Sequence, residues 1–275
     1  MRLAIDYKEA KSLQHTDIIF GFPKIRFFAL SKTALIVLLG AYVSNAKLNE
    51  AFLEVLALTV ALWAVLYAIN ETTDRFYENG VTVKIIHLVA YPLAIAVILM
   101  ASSRLGEEIF IFALAMTMSQ VAYSLYPRLK IFWWGALLIS GLINPALRFF
   151  LGAIGGEKNH AFYLTLIVLL LVNLSGAIIT RVKKRRPDSE HHYLPIPGVF
   201  SIMLPSIIAT SAVGCIGLTF VGILPASCWY LVPPGFLYLL DLKKMTINQI
   251  RRWWLVFFSI SLVIIADMTL EMMKR

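Results

Sequence analysis

Residues 53–80, LEVLALTVALWAVLYAINETTDRFYENG, decide the fold class, because a long apolar run ends there in a crowd of polar groups. A bilayer span needs roughly 20 consecutive, mostly apolar residues. The run before Asn70 carries only one charged side chain, Glu54. The segment therefore predicts a membrane-crossing helix whose polar end lies at one surface of the membrane.

The same apolar pattern recurs along the whole chain. Of its 275 residues, 59% are hydrophobic and only 15% are charged, whereas soluble domains carry about 25% charged residues. Lipid offers no partners for open backbone groups, so apolar spans must be helices. No linker separates soluble domains, and the sequence predicts one all-α, polytopic membrane domain over residues 1–275. The predicted spans are 27–45, 50–70, 83–102, 108–126, 131–153, 162–181, 199–219, 221–240 and 253–271.

Basic residues fall mostly on one side of the predicted membrane. The N-terminal segment and the loops after spans two, four, six and eight hold 18 of the 25 Lys and Arg residues, and the opposite side holds five. This bias predicts that the N-terminus and those loops are cytoplasmic and, with nine spans, that the C-terminus is outside. Membrane lipids are expected as partners because the predicted spans cross the bilayer. Nucleic acid is not expected, because no basic and aromatic platform lies outside the spans.

Polar residues at the end of the second span fall on one helix face. Four residues advance a helix by about 40° beyond one full turn, so Asn70, Asp74 and Glu78 form a stripe, bordered by Glu71 and accompanied by Arg75. Hard oxygen ligands suit Mg²⁺, which takes one or two carboxylates and adds water and substrate phosphates. The stripe predicts an Mg²⁺ site at Asn70, Glu71, Asp74 and Glu78. The alternative is a solvated helix end.

Four short motifs, in order along the chain, resemble those of the UbiA-type intramembrane prenyltransferases. NETTDRFYE at 70–78 is similar to the family's N-D-x-x-D-x-x-x-D, with Glu replacing Asp at 71 and 78. YPRLK at 126–130 is similar to its Y-x-x-x-K element. NPALRFFLGA at 144–153 resembles an Arg-containing stretch in helix five, and YLPIPG at 193–198 resembles the start of helix seven.

The resemblance implies about nine transmembrane helices around a central cavity. It implies transfer of an isoprenyl group from a polyprenyl diphosphate to a lipophilic or aromatic acceptor, with Mg²⁺ assisting the departure of the diphosphate. By the same resemblance, Tyr126, Lys130 and Arg148 are the catalytic candidates that hold the diphosphate or help it to leave. Asn70 and Arg75 are assigned to substrate binding as well.

The chain departs from the family's pattern at the second acidic motif, D-x-x-x-D, which is expected near residues 179–186. IITRVKKRR stands at 178–186, and Asp188 and Glu190 follow with a different spacing. Lysine and arginine can neutralise phosphate oxygens directly, and arginine can do so through two hydrogen bonds. We therefore predict that Arg181 and Arg186 bind the diphosphate in place of a second metal. The alternative is that the basic run only sets membrane orientation.

Two other functions remain compatible with the sequence. A terpene cyclase on the same fold would quench the carbocation internally. A catalytically silent homologue would bind a prenyl lipid or act as a scaffold for partner enzymes, and the altered second motif favours this reading. The products formed from a labelled prenyl diphosphate separate all three.

Overall fold

The protein is a bundle of helices whose bounds follow the predicted spans closely. The computed structural model describes residues 18–19, 22–23, 27–79, 85–125, 127–183, 197–231, 233 and 247–274. Two antiparallel two-residue strands, β1 (Ile18–Ile19) and β2 (Phe22–Pro23), precede the bundle. The helices are α1 (Phe27–Val43), α2 (Glu50–Asn79), α3 (Ile85–Leu105), α4 (Glu107–Ser124), α5 (Trp133–Gly152), α6 (His160–Lys183), α7 (Gly198–Phe220) and α8 (Ile247–Lys274).

The length and composition of these helices make the chain an integral membrane protein. Six of them, α2, α3, α5, α6, α7 and α8, contain segments long and apolar enough to cross a membrane. The apolar part of α1, Leu30–Val43, is shorter, and α4 begins with two acidic residues, Glu107 and Glu108. The prediction of an all-α polytopic membrane protein is confirmed, with eight helices in the part of the chain that the structure describes.

The predicted eighth span, 221–240, begins differently from expectation. Helix α7 ends at Phe220, and Gly222 follows in the left-handed region at φ +75°. The Gly222 amide donates to the Thr219 carbonyl at 3.1 Å, which is how a glycine commonly ends a helix. Ala226–Leu231 then forms a 3₁₀ helix. The predicted start at 221 is therefore wrong, and 232 and 234–246 lie outside the described residues.

Four apolar clusters of buried side chains hold the described part of the bundle together, and two of them are larger than the others. The larger joins α1, α5, α6 and α8 and has Val37, Phe149, Phe162 and Met268 at its centre, all fully buried. In the smaller, Leu62 and Leu66 of α2 pack against α3 and α4. Helix α2 thus lies between the two halves of the bundle, and its polar end is surrounded by neighbouring elements.

Helix α5 is not regular along its length. An α-helical turn, Trp133–Ala136, leads into a π-helical segment, Leu137–Ile143, and an α-helix resumes over Asn144–Gly152. Short π segments inside helices are rare and occur often at functional sites. Here the π segment directly precedes Asn144, whose side chain is buried and takes part in the polar network described below.

Candidate functional site

Helix α2 continues through its polar segment to Asn79, so that Asn70 and Asp74 lie one turn apart on the same face. Asn70 Nδ2 donates to Asp74 Oδ2 at 3.4 Å, as side chains four residues apart on a helix can do. Between them, Thr73 Oγ1 donates to the Asn70 carbonyl at 2.9 Å. The predicted polar stripe is therefore present at this end of α2.

Lys130 lies at the centre of the site. It belongs to a 3₁₀ turn, Leu129–Ile131, between α4 and α5, and its side chain is only 3% exposed. The ammonium group donates to Asp74 Oδ1, to Asn70 Oδ1 at 3.2 Å and to Thr73 Oγ1 at 3.5 Å. Since a buried ammonium needs an anion and hydrogen-bond acceptors, these contacts fix Lys130 against the end of α2.

Arg128 is a member of the site that the sequence motifs did not single out. One guanidinium nitrogen lies 3.8 Å from Asp74 Oδ1, and the guanidinium carbon lies 4.0 Å from the centre of the Tyr77 ring. The Arg128 backbone is left-handed, with φ 59° and ψ 53°, which costs a residue with a β-carbon about 1–3 kcal/mol. Its position inside YPRLK was the only signal in the sequence.

Arg181 joins the site from the end of α6. Its guanidinium donates to the backbone carbonyl of Lys130. This contact ties α6 to the turn that carries Arg128 and Lys130. The structure thus brings together Asn70, Asp74, Lys130 and Arg181 from the predicted set.

A chain of buried polar side chains leads from Asn70 into the bundle. Ser124 Oγ donates to Asn70 Oδ1 at 2.9 Å, and Gln120 Nε2 donates to Ser124 Oγ at 3.2 Å. Asn144 Nδ2 donates to Gln120 Oε1 at 3.0 Å, and Ser119 Oγ donates to Asn144 Oδ1 at 2.8 Å. Buried polar groups paired in this way hold one another in a single arrangement, so α4 and α5 fix the orientation of Asn70.

Arg148 lies deeper in the bundle and belongs to the same network. Its Nε donates to the Asn144 carbonyl at 3.0 Å, and a terminal nitrogen donates to Thr33 Oγ1 at 2.9 Å. The guanidinium also lies 4.2 Å from the centre of the Trp63 ring. A buried charge in a membrane protein requires such partners. Arg148 is therefore linked to Asn70 through Asn144 and the polar side chains of α4, whereas Lys130 contacts Asn70 directly.

Several predicted site residues cannot be placed by contacts. Glu71 is half-buried beside Asn70. The backbone of Arg75 and Glu78 is part of α2, but their side chains are not among those described, and Tyr126, Arg186, Asp188 and Glu190 lie outside the described residues. The assignments of these residues stay predictions.

The described donors fit one magnesium ion. Asn70, Glu71 and Asp74 offer amide and carboxylate oxygens on adjoining turns of α2, and Mg²⁺ needs only one or two carboxylates. Within the described ranges, no group of three or more His, Cys, Asp and Glu side chains is close enough to hold a metal. The same holds at the end of α2, where a metal would depend on Asn70 and on the two described carboxylates, Glu71 and Asp74.

Comparison with solved structures identifies the architecture. A UbiA homologue from Archaeoglobus fulgidus bound to GPP and Mg²⁺ matches with a TM-score of 0.62 at 16% identity, covering 88% of this chain and 97% of that chain. The chain has the fold of the UbiA-type prenyltransferases. A digeranylgeranylglyceryl phosphate synthase matches with a TM-score of 0.60 at 13% identity, covering 87% of this chain and 92% of that chain. The predicted UbiA-like fold is confirmed.

A further UbiA homologue structure from Archaeoglobus fulgidus, bound to DMAPP and Mg²⁺, has a TM-score of 0.55 at 17% identity, with coverage of 88% of this chain and 99% of that chain. No protein-family model and no curated protein sequence matches the chain. The UbiA-type fold is therefore carried here by a strongly diverged sequence.

Proposed function

We propose that the protein is an intramembrane prenyltransferase that moves an isoprenyl group from a polyprenyl diphosphate to a lipophilic or aromatic acceptor. The observation that carries the proposal is the meeting of Asn70 and Asp74 with Lys130, Arg128 and Arg181 at one end of an apolar bundle. Oxygen ligands and cationic side chains together suit a metal-bound diphosphate. UbiA homologues of the same fold that bind GPP or DMAPP with Mg²⁺ support this choice of substrate.

In this proposal the end of α2 holds the metal, and the surrounding cations bind the diphosphate. Bound Mg²⁺ supplies positive charge that stabilises the leaving diphosphate. The metal ligands are Asn70, Glu71, Asp74 and Glu78. The residues that bind the diphosphate or assist its departure are Asn70, Arg75, Tyr126, Lys130, Arg148, Arg181 and Arg186.

Lys130 has a specific part in the reaction. Its ammonium contacts Asp74 and Asn70 in the structure, and on substrate binding it exchanges the Asp74 carboxylate for a phosphate oxygen, which frees Asp74 as a metal ligand. As the allylic carbon–oxygen bond breaks, the ammonium stabilises the negative charge that develops on the diphosphate. The acceptor then bonds to the allylic carbon and loses a proton, which the released diphosphate can accept. The apolar bundle keeps water away from the cation.

A silent, prenyl-lipid-binding homologue is a second candidate function, and one observation favours it. The Lys130 ammonium pairs directly with the Asp74 carboxylate, so Asp74 has a cationic partner within the protein. In a silent homologue this ion pair would persist when the ligand binds, and Mg²⁺ would have no effect on affinity.

Transfer from a radiolabelled prenyl diphosphate tests the proposal. Purified protein in membrane lipids, offered labelled farnesyl diphosphate and a panel of lipophilic and aromatic acceptors, is expected to form a larger labelled product only when Mg²⁺ is present. A labelled cyclic hydrocarbon would instead indicate a cyclase. Tight binding that is independent of Mg²⁺ and gives no product would indicate the silent homologue.

We propose further that the site faces the cytoplasm, with the C-terminus outside, because the basic residues of the chain concentrate on the site's side. A reporter fused after residue 275 is expected to be active outside the cytoplasm, and one inserted within 183–190 inside it. Cytoplasmic activity of the C-terminal fusion would contradict the proposed orientation and the nine-span count.

A further inference from the structure

The charges at the site do not balance in the absence of substrate. Arg128, Lys130 and Arg181 meet around the end of α2, where the described carboxylates are Glu71 and Asp74. One Mg²⁺ added to this set would leave an excess of three positive charges. A prenyl diphosphate carries about three negative charges at neutral pH, so one metal ion together with these described side chains would balance its charge.

Arg128 is held in a largely buried position at the end of α2. Its guanidinium lies over the Tyr77 ring and next to Asp74, and its Nε atom is buried with no hydrogen-bond acceptor among the described residues. Such a donor is costly without an acceptor, and a phosphate oxygen would be a suitable one. The left-handed backbone of Arg128 is strained, and strain of this kind is often found at functional sites.

We propose that Arg128 and Lys130 bind the diphosphate oxygens of the substrate directly, so that the site works with one divalent cation. Arginine presents its donors in a planar fork that matches phosphate oxygens, and lysine adds a compact charge. Besides its assignment to the diphosphate, Arg181 positions Lys130, since its guanidinium donates to the Lys130 carbonyl and so holds the turn that carries both cations. The inference rests on the proposed function and specifies how its donor site binds the diphosphate.

The competing explanation is that Arg128 only shapes the turn. Glycine adopts the left-handed backbone without strain, so Arg128→Gly preserves the turn and removes the guanidinium. Arg128→Met keeps a side chain of similar length without charge. If Arg128 serves the turn alone, the glycine variant binds diphosphate normally. If the guanidinium binds the ligand, both variants lose affinity.

Manganese, which suits the same oxygen ligands as magnesium, gives a readout that does not depend on turnover. Equilibrium dialysis of the full-length protein with inorganic pyrophosphate and Mn²⁺ is expected to give one Mn²⁺ per chain, and electron paramagnetic resonance to show an isolated ion. Both Arg128 variants are expected to bind pyrophosphate weaker by roughly tenfold or more. The control Arg104→Met, at the exposed far end of α3, should leave affinity unchanged.

Two results would overturn the inference. Two Mn²⁺ per chain with spin coupling would show a second metal and would direct attention to Asp188 and Glu190. Unchanged pyrophosphate affinity in both Arg128 variants would show that the guanidinium does not bind the ligand. If prenyl transfer is still observed in either case, the proposed function stands although the inference fails. If binding needs one metal ion and Arg128 but no transfer is observed, the inference stands and the transferase function is rejected.

Discussion

Replacing Asp74 with asparagine is expected to reduce prenyl transfer by roughly a hundredfold or more, since loss of one charged group in such a site costs that much. The change keeps the shape of the side chain but removes the anion that partners Lys130 and Arg128. Both cations then lose the carboxylate that they share, and a bound metal would lose a ligand. The initial rate of product formation and its Mg²⁺ dependence measure the effect.

The control for Asp74→Asn is Glu54→Gln, which removes a carboxylate from the same helix at an exposed position near its other end. It is expected to leave both rate and Mg²⁺ dependence unchanged. A double variant, Asp74→Asn with Lys130→Gln, adds information because the two side chains form an ion pair. The losses of the single variants should not add. Equal effects of Asp74→Asn and Glu54→Gln would reject the site assignment.

The helices and one side of the site were predictable from local sequence alone. Apolar runs of roughly 20 residues in lipid have no alternative to a helix, so spans such as 162–181 came within a few residues of α6. The contact between Asn70 and Asp74 follows from the helical period. Both are properties of a single continuous segment, and a sequence reports such properties directly.

The partners of Asp74 were harder to predict because they come from elsewhere in the chain. Lys130 was predicted from the family resemblance, and nothing in the sequence around it indicates a contact with α2. Arg128 was missed because its role depends on a left-handed backbone at a non-glycine residue, which sequence patterns do not indicate. The start of the eighth span was misplaced because the apolar run continues past Phe220. The helix nevertheless ends there, because Gly222 has a left-handed backbone.

Replacing Gly152 with alanine is expected to destabilise the bundle by about 3 kcal/mol, the upper end of the usual cost of overpacking. A β-carbon at Gly152 would collide with the backbone carbonyl of Val37, and one at Gly40 with the carbonyl of Phe149. Helices α1 and α5 therefore approach through reciprocal glycines, and backbone atoms cannot move aside as a side chain can. Thermal unfolding of the purified protein, followed by intrinsic fluorescence, measures the change.

The matched control is Gly217→Ala in α7, because a β-carbon at Gly217 meets nothing within 4 Å. In a helix interior, alanine is favoured over glycine by about 0.5–1 kcal/mol, so this variant should be as stable as the parent or slightly more so. Opposite signs for the two substitutions would separate helix propensity from close packing. Lipid provides no hydrophobic drive for helices to associate, so the α1–α5 contact must stabilise the bundle through its fit. Equal stability of the two variants would contradict that conclusion.

The Gly152→Ala substitution should also impair the site, because α5 carries Asn144 and Arg148, whose hydrogen bonds link α5 to α4 and α1.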